Sequence, residues 1–289
     1  MTAKILSAAP VVEQLKKDLK ARCEALKKKG LVPSMCVVLV GDNPASMSYI
    51  RNKKKMCEEI GAKFQLLHLP DSTDEREFLQ KIEALNKDDS IHGIIIQLPV
   101  SEKLKTLPLP NLVKASKDID GFHSLNTQNL YAGSIDLSLL LPCTPKGIVS
   151  LLKFYNIPLK GKHVVIIGRS LIVGKPLSML LTNLDATVTL THSQTLNLKK
   201  LTQQADIVIS AIGKAQFLDR SYFNPDKKTI VIDVGMNTIS GKLTGDVDQA
   251  DVAGVVEGIS PVPGGVGPMT VITLIENLIS ATEKQIKGY

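Results

Sequence analysis

Lysine is an unexpected residue on an inward-facing helical stripe, and residues 45–60 place one there. Advancing ~100° per residue puts Met56, Tyr49, Ile60, Lys53, Ser46, Cys57 and Ile50 on one face. Arg51, Asn52, Lys54, Lys55, Glu58 and Glu59 fall elsewhere. Lys53 is therefore the one charge in the middle of the stripe, with Tyr49 a single turn away on the same face. A lysine facing inward loses hydration and can have its pKa pulled down, which suits general acid–base chemistry. A stem packed on the apolar face with its head in water accounts for the pattern equally well. Gln97 follows Ile94-Ile95-Ile96 and so sits at the C-terminal end of a strand, where ligands collect in open α/β sheets. Lys117-Asp118-Ile119-Asp120-Gly121-Phe122 reads as a loop with two carboxylates one residue apart. In an extended loop they point oppositely, so one can enter a site while the other stays wet, and a solvated loop acid is the default for each taken separately. Residues 261–270, PVPGGVGPMT, read as neither helix nor strand but as rigid backbone that can approach a ligand closely.

A second kind of chemistry belongs to KHVVIIGRSLIVGKPLSMLL, a buried strand, a glycine turn and a helix start. Gly168 ends the strand, and Gly174 with Pro176 opens the helix, where proline is tolerated in the first turn. Free backbone N–H groups and the positive end of the dipole there suit a phosphate. The spacing is not G-x-G-x-x-G, and an ordinary structural turn fits it as well. NAD-binding folds place a carboxylate at the end of the next strand to hold the ribose 2′-OH. Here the strand 187–191 runs into His192-Ser193. Arg169 and Ser170 in the glycine turn supply a cation and a hydroxyl, which a 2′-phosphate requires and a carboxylate would repel. The pattern favours NADP over NAD; an Arg169 that simply points to solvent is the competing reading.

The elements that must position these residues alternate along the chain. Helical periodicity through Val12, Leu15, Leu19, Cys23 and Leu26 stops at Gly30. Strands are expected at 35–40, 63–69 and 93–98, with helices at 45–60 and 74–86 between them. The nearly unbroken isoleucine of the third strand is typical of a parallel sheet covered on both faces. After a loop-rich stretch at 99–144, helices are expected at 145–155, 175–184 and 271–286, and strands at 163–167, 187–191, 207–211 and 229–234. Alternation of this kind implies α/β architecture: two α/β domains flanking a cleft, the second Rossmann-like. The boundary between them is expected near residues 140–150.

The composition narrows the class. Of 289 residues, 44% are hydrophobic and 22% charged, the profile of a globular chain. No apolar run approaches the ~18 residues of a membrane span, and the N-terminus becomes charged too early for a signal peptide. Cys23, Cys36, Cys57 and Cys143 form no C-x-x-C pair, which argues against a zinc site or disulfide framework and for the cytoplasm. The net charge of +7 is spread over many helices, and without Trp a base-stacking surface is poorly supplied, so no nucleic-acid partner is expected. A mildly positive protein also suits an anionic small substrate.

Taken together these segments resemble the bifunctional methylenetetrahydrofolate dehydrogenase/methenyltetrahydrofolate cyclohydrolase family. The resemblance rests on Tyr49-x-x-x-Lys53, Gln97-Leu98-Pro99, Lys117-Asp118-Ile119-Asp120-Gly121, Pro142-Cys143-Thr144-Pro145-x-Gly147, Gly168-Arg169-Ser170-x-Ile172-Val173-Gly174-x-Pro176, His192-Ser193, Asp233-Val234-Gly235 and the 261–270 stretch, in that order. It implies NADP as cofactor, tetrahydrofolate derivatives as substrates, a place in one-carbon metabolism, and a homodimer paired through the nucleotide domain. It also implies a last helix that crosses back to the first domain, giving 1–144 plus about 270–289 as one domain and 145–269 as the other. Lys53 would be the central catalytic residue, assisted by Gln97, with Asp120 holding the pterin and Tyr49 lying against the aminobenzoate ring. Pro263, Gly264 and Gly265 would shape the folate pocket. Thr144, Gly168, Arg169, Ser170, Gly174, His192, Ser193, Ile212 and Gly235 would line the NADP site. A monofunctional NAD-dependent relative is the nearest alternative; retention of Lys53 and Gln97 and the missing strand-end acid argue against it. An unrelated hydroxy-acid dehydrogenase would leave Lys53, Asp120 and the Pro-Gly stretch unexplained.

Overall fold

Buried strands flanked by amphipathic helices organise the chain into two α/β units, as the alternating periodicity implies. The structure, a computed structural model, describes residues 2–133 and 139–286; residues 287–289, the expected end of the final helix, lie outside it. One unit contains Gln14–Asn129 and the chain from Val271 onward, and the other contains Met1–Glu13 and Thr144–Thr270.

In the first of these, three parallel strands lie in the order Lys63–Leu69, Ser34–Val40, Gly93–Ile96. Ser34–Val40 is central and buried at every position, the environment that suits its β-branched and apolar run. The connecting helices carry clear start and stop signals. Pro44–Ile60 opens with the Asn43 side chain accepting the Ser46 N–H (3.0 Å) and closes at Gly61, whose φ of 90° is left-handed. Glu75–Lys87 is capped by Asp74, which accepts the Glu77 N–H at 2.8 Å. Phe78 and Ile82 of that helix pack with Cys36, Val38 and Ile94 of the sheet. Strand order reverses direction at the central strand, so the ends of Ser34–Val40 and Gly93–Ile96 flank the topological switch point. The Gln97 N–H donates to Val38 O there, at 2.9 Å.

The other unit carries six parallel strands in the order Lys4–Ile5, Gly258–Ile259, Ile230–Asp233, Ile207–Ser210, His163–Ile167, Thr187–Thr191. Its order reverses between His163–Ile167 and Ile207–Ser210, which is the dinucleotide-binding arrangement. Lys4–Ile5 joins this sheet as an edge strand, which explains why the first thirteen residues cluster here and not with the rest of the first 144.

Two expectations need correction. The 99–144 stretch holds short helices at Leu109–Leu112 and Ser124–Tyr131, too brief to show a period. The 261–270 stretch is not wholly irregular, because the final helix, Val266–Ile286, begins inside it. Pro268 falls in its first turn, where an N–H would have no intrahelical partner and its loss costs little. A small antiparallel hairpin, Asn237–Ile239 with Lys242–Thr244, was also unmarked by periodicity. Ser240 and Gly241 at its tip have φ of 49° and 77°, as a type I′ turn needs. No helix among the described residues is long and apolar enough to cross a membrane.

Candidate functional site

The helix Pro44–Ile60 buries Ser46, Ile50, Cys57 and Ile60, and Lys53 lies within that stripe, half-buried. Its Nζ donates to Gln97 Oε1 at 3.0 Å. The Gln97 amide is oriented by its other end, where Nε2 donates to Leu98 O at 2.9 Å, and Ser46 Oγ donates to the same carbonyl at 3.3 Å. Lysine on a helix and glutamine past a strand end, forty-four positions apart, are thereby brought to one point above the sheet switch. Tyr49, one turn before Lys53, is 40% exposed, and partial burial raises its pKa, so the phenol keeps its proton. Burial pushes Cys57, on the same stripe, up to about 12, so it offers no thiolate.

The two aspartates of the 117–122 loop have distinct surroundings, but not those expected. Asp118 is not wet: it is 4% exposed and accepts N–H bonds from Gly121 (3.1 Å), His123 (2.7 Å) and Asn126 Nδ2 (2.9 Å). Burial raises its pKa against the pull of those donors. It pins the loop because its short side chain reaches back into the turn it caps. Asp120 is half-buried and makes no hydrogen bond among the described residues, leaving its carboxylate available to a ligand. The loop is closed on the other side by Gly121, where a side chain would begin 2.3 Å from the Leu141 carbonyl carbon. Asn277 of the final helix donates to Ile119 O and Leu141 O, both at 2.9 Å.

In the other unit the glycine turn is tight. A Cβ on Gly174 would lie 1.9 Å from Gly168 O, and one on Gly168 2.4 Å from Ala211 O, so only glycine permits this approach of three segments. Arg169 and Ser170 are exposed on the turn. Ser170 Oγ accepts the N–H groups of Val173 (3.1 Å) and Gly174 (3.4 Å), so the start of the helix Gly174–Asn183 is partly capped by the chain itself and not wholly open to a phosphate. Gly168 N–H donates to Thr191 O at 3.0 Å, tying the turn to the end of the neighbouring strand. His192 and exposed Ser193 follow directly, with His192 Nδ1 accepting the Gln194 N–H at 3.2 Å.

The remaining expected residues are more dispersed. Thr144 Oγ1 lies 3.0 Å from Thr270 Oγ1. Ile212 and Gly235 follow the strands Ile207–Ser210 and Ile230–Asp233. Gly264 (φ 101°) and Gly265 form a tight turn in which a Gly265 side chain would begin 2.5 Å from Pro261 O, with Pro263 exposed before them. Sequence reasoning assigned no role to Asp233 and Asp246, both fully buried behind Ile212 and Gly235. The pairing of each with a glycine, at 233–235 and at 245–246, was the available signal.

A Rossmann-like unit whose strand-end turn admits only glycine, and a second parallel-sheet unit presenting a lysine–glutamine pair, define a two-domain α/β enzyme with a dinucleotide cofactor. The tetrahydrofolate dehydrogenase/cyclohydrolase catalytic domain matches residues 6–120, and its NAD(P)-binding domain matches residues 142–286. The chain belongs to this family. It is 44% identical to the bifunctional protein FolD of Halalkalibacterium halodurans over 98% of this chain and 100% of that protein. The crystal structure of the bifunctional enzyme FolD-methylenetetrahydrofolate dehydrogenase/cyclohydrolase from Campylobacter jejuni superposes with a TM-score of 0.94 at 41% identity, covering 98% of this chain and 99% of that one. The Trypanosoma brucei N5,N10-methylenetetrahydrofolate dehydrogenase-cyclohydrolase, complexed with NADP cofactor and inhibitor, gives 0.92 at 28% identity, with 99% of each chain covered. The matched NAD(P)-binding domain includes the final helix, whereas from Val271 that helix packs with the Lys53 unit.

Proposed function

We propose that this chain is a cytoplasmic, homodimeric enzyme that oxidises 5,10-methylenetetrahydrofolate to 5,10-methenyltetrahydrofolate with NADP and hydrolyses that product to 10-formyltetrahydrofolate. The observation that carries the reading is the 3.0 Å contact between Lys53 Nζ and Gln97 Oε1. Hydrolysis of the methenyl bridge needs a group that moves a proton, which a positioned amine held by an oriented amide supplies; hydride transfer by itself needs none.

When bound, the oxidised nicotinamide supplies the acceptor for a hydride. The residues present fit a 2′-phosphorylated dinucleotide: the glycine turn at Gly168 and Gly174 leaves room for close approach, and exposed Arg169 and Ser193 stand just past adjacent strand ends, in a sequence, Gly168-Arg169-Ser170 and His192-Ser193, that carries no carboxylate. Ser170 steadies the turn through its oxygen and retains its hydroxyl hydrogen for the ligand. Asp120, with both oxygens unused, holds the N–H edge of the pterin, and Tyr49 lies along the aminobenzoate ring. In the hydrolysis water adds to the methenyl carbon and gives up both protons as the formyl C=O forms: one leaves to solvent, and the other passes to N5 as the bond from that carbon to N5 breaks. Lys53 Nζ moves that proton, while Gln97 Oε1 fixes where the nitrogen sits.

The test is to follow reduced nucleotide and methenyl product separately, with NADP and with NAD. The proposal expects NADP to be preferred and added methenyltetrahydrofolate to be hydrolysed by the same chain. NADH formation without hydrolysis would identify a monofunctional NAD-dependent dehydrogenase instead.

A further inference from the structure

Asp246 is fully buried, yet five groups converge on its carboxylate. Oδ2 accepts from Ser210 Oγ (3.0 Å), Ile212 N (2.8 Å) and Gly213 N (3.3 Å), and Oδ1 from Lys214 N (2.8 Å) and Asn237 Nδ2 (3.1 Å). Three successive backbone N–H groups turned to one point form an anion nest. Here the chain's own carboxylate fills it, so those N–H groups face inward and are not offered to a bound phosphate.

Asp246 is in turn held by Asp233. The N–H groups of Asp246 (2.9 Å) and Val247 (3.0 Å) donate to the Asp233 carboxylate, which also accepts from Gly235 (3.0 Å). The interlock leaves no room for side chains beside it. A Cβ on Gly235 would lie 2.1 Å from Asp246 Oδ1, and one on Gly245 1.8 Å from Asp233 Oδ2. Burial, with the Asp246 charge adding to it, pushes the Asp233 carboxyl up to about 6 despite its three N–H bonds. Burying two neighbouring carboxylates is costly, and stability alone is as well served by apolar packing. What the arrangement supplies is a fixed backbone path for 212–214, the segment that follows directly on Ala211, whose carbonyl abuts Gly168 of the glycine turn.

We propose that Asp246 is a positioning residue for nucleotide binding, holding 212–214 so that Ile212 and Gly235 meet NADP as a preformed surface. The inference rests on the NADP site proposed above. Asp246→Asn keeps the shape but turns an NH₂ toward N–H donors. Losing charge-assisted hydrogen bonds should raise KM for NADP at least about tenfold. At saturating NADP kcat should fall less, and the cyclohydrolase of the same preparation, which consumes no nucleotide, should remain near wild type. Ser210→Ala removes a single donor and serves if Asp246→Asn does not fold; it should raise KM for NADP about threefold. An unchanged KM in folded Asp246→Asn, or in Ser210→Ala where the former fails to fold, overturns the proposal. So does a parallel fall of both activities at constant KM, the mark of a merely structural residue. A wild-type enzyme that reduces no NADP with methylenetetrahydrofolate overturns the proposed function itself, and so is distinguishable from either result.

Discussion

At the scale of single residues, Lys53 spends one N–H on Gln97 Oε1 and stands half-buried beside Tyr49. Lys53→Met keeps the stem's volume and packing and removes the ammonium. The variant should fold with an unchanged melting temperature and lose ~10²–10⁴ of its cyclohydrolase activity, the usual contribution of a positioned acid–base group. Some dehydrogenase activity should survive, because hydride transfer needs alignment more than proton movement. An undiminished cyclohydrolase in the purified variant would remove Lys53 from the mechanism. The neighbouring aspartates separate by a different measurement. Asp120→Ala should weaken both activities by one to two powers of ten through loss of a charge-assisted hydrogen bond of ~1.5–3 kcal/mol, with stability unchanged. Asp118→Ala leaves the His123 N–H without its acceptor and takes a second acceptor from Gly121 N–H and Asn126 Nδ2, which keep only Asp118 O and Ala115 O, and should lower the melting temperature. Equal melting temperatures for the two variants would refute the distinction. The inward turn of Lys53 was legible because helical period alone fixes direction. Asp246 was not, since its donors come from positions 210–214 and 237, which only the tertiary fold assembles.

At the scale of elements, the strand His163–Ile167 has the limits its apolar run implied, because a buried parallel strand must be apolar along its length. The edge strand Thr187–Thr191 is only partly buried and was legible through its β-branched Thr and Val residues. The strand Lys4–Ile5 and the hairpin at 237–244 were not legible, being held by backbone pairing and turn geometry with little apolar pattern. The helix start at Val266 was obscured by proline and glycine, whose usual meaning as breakers does not extend to a first turn. The glycine turn places Arg169 at the end of one strand and Ser193 just past the end of its parallel neighbour, joined through Gly168 N–H to Thr191 O. A 2′-phosphate there draws on the guanidinium, whereas a 2′-OH gains little from it. Arg169→Ala should therefore raise KM for NADP by about tenfold or more and leave NAD use nearly unchanged. Steady-state kinetics with each cofactor decide this: an equal effect on both would show that Arg169 does not touch the phosphate.

At the scale of the whole molecule, the order of residues along the chain differs from their order in the fold. The chain enters the nucleotide-binding unit through Met1–Glu13, leaves it for Gln14–Asn129, and comes back to the Lys53 unit at Val271. From Val271 the last helix is consequently part of the Lys53 unit, and its polar side chains bind the backbone carbonyls of His92, Ser116, Ile119 and Leu141 as well as the Arg22 side chain. Arg22 makes a two-armed contact with Glu283 (3.0 and 2.7 Å), and Gln285 Nε2 donates to His92 O (3.0 Å) and Ser116 O (3.3 Å). Asn277, fully buried, is the contact nearest the candidate site, since the Ile119 carbonyl it holds directly precedes Asp120. Asn277→Leu preserves approximate volume but leaves Leu141 O without a donor and Ile119 O with only the Cys143 thiol at 3.3 Å. A buried acceptor left unsatisfied costs ~1–3 kcal/mol. For a chain of this size that corresponds to a fall of several degrees in melting temperature. A loosened 119–121 segment should also raise KM for methylenetetrahydrofolate while leaving KM for NADP alone, the reverse of the Asp246→Asn pattern. Thermal unfolding and the two Michaelis constants of one preparation test both parts. An unshifted melting temperature would show that the helix does not secure the loop, and a raised KM for NADP would show that Asn277 acts on the nucleotide-binding unit instead.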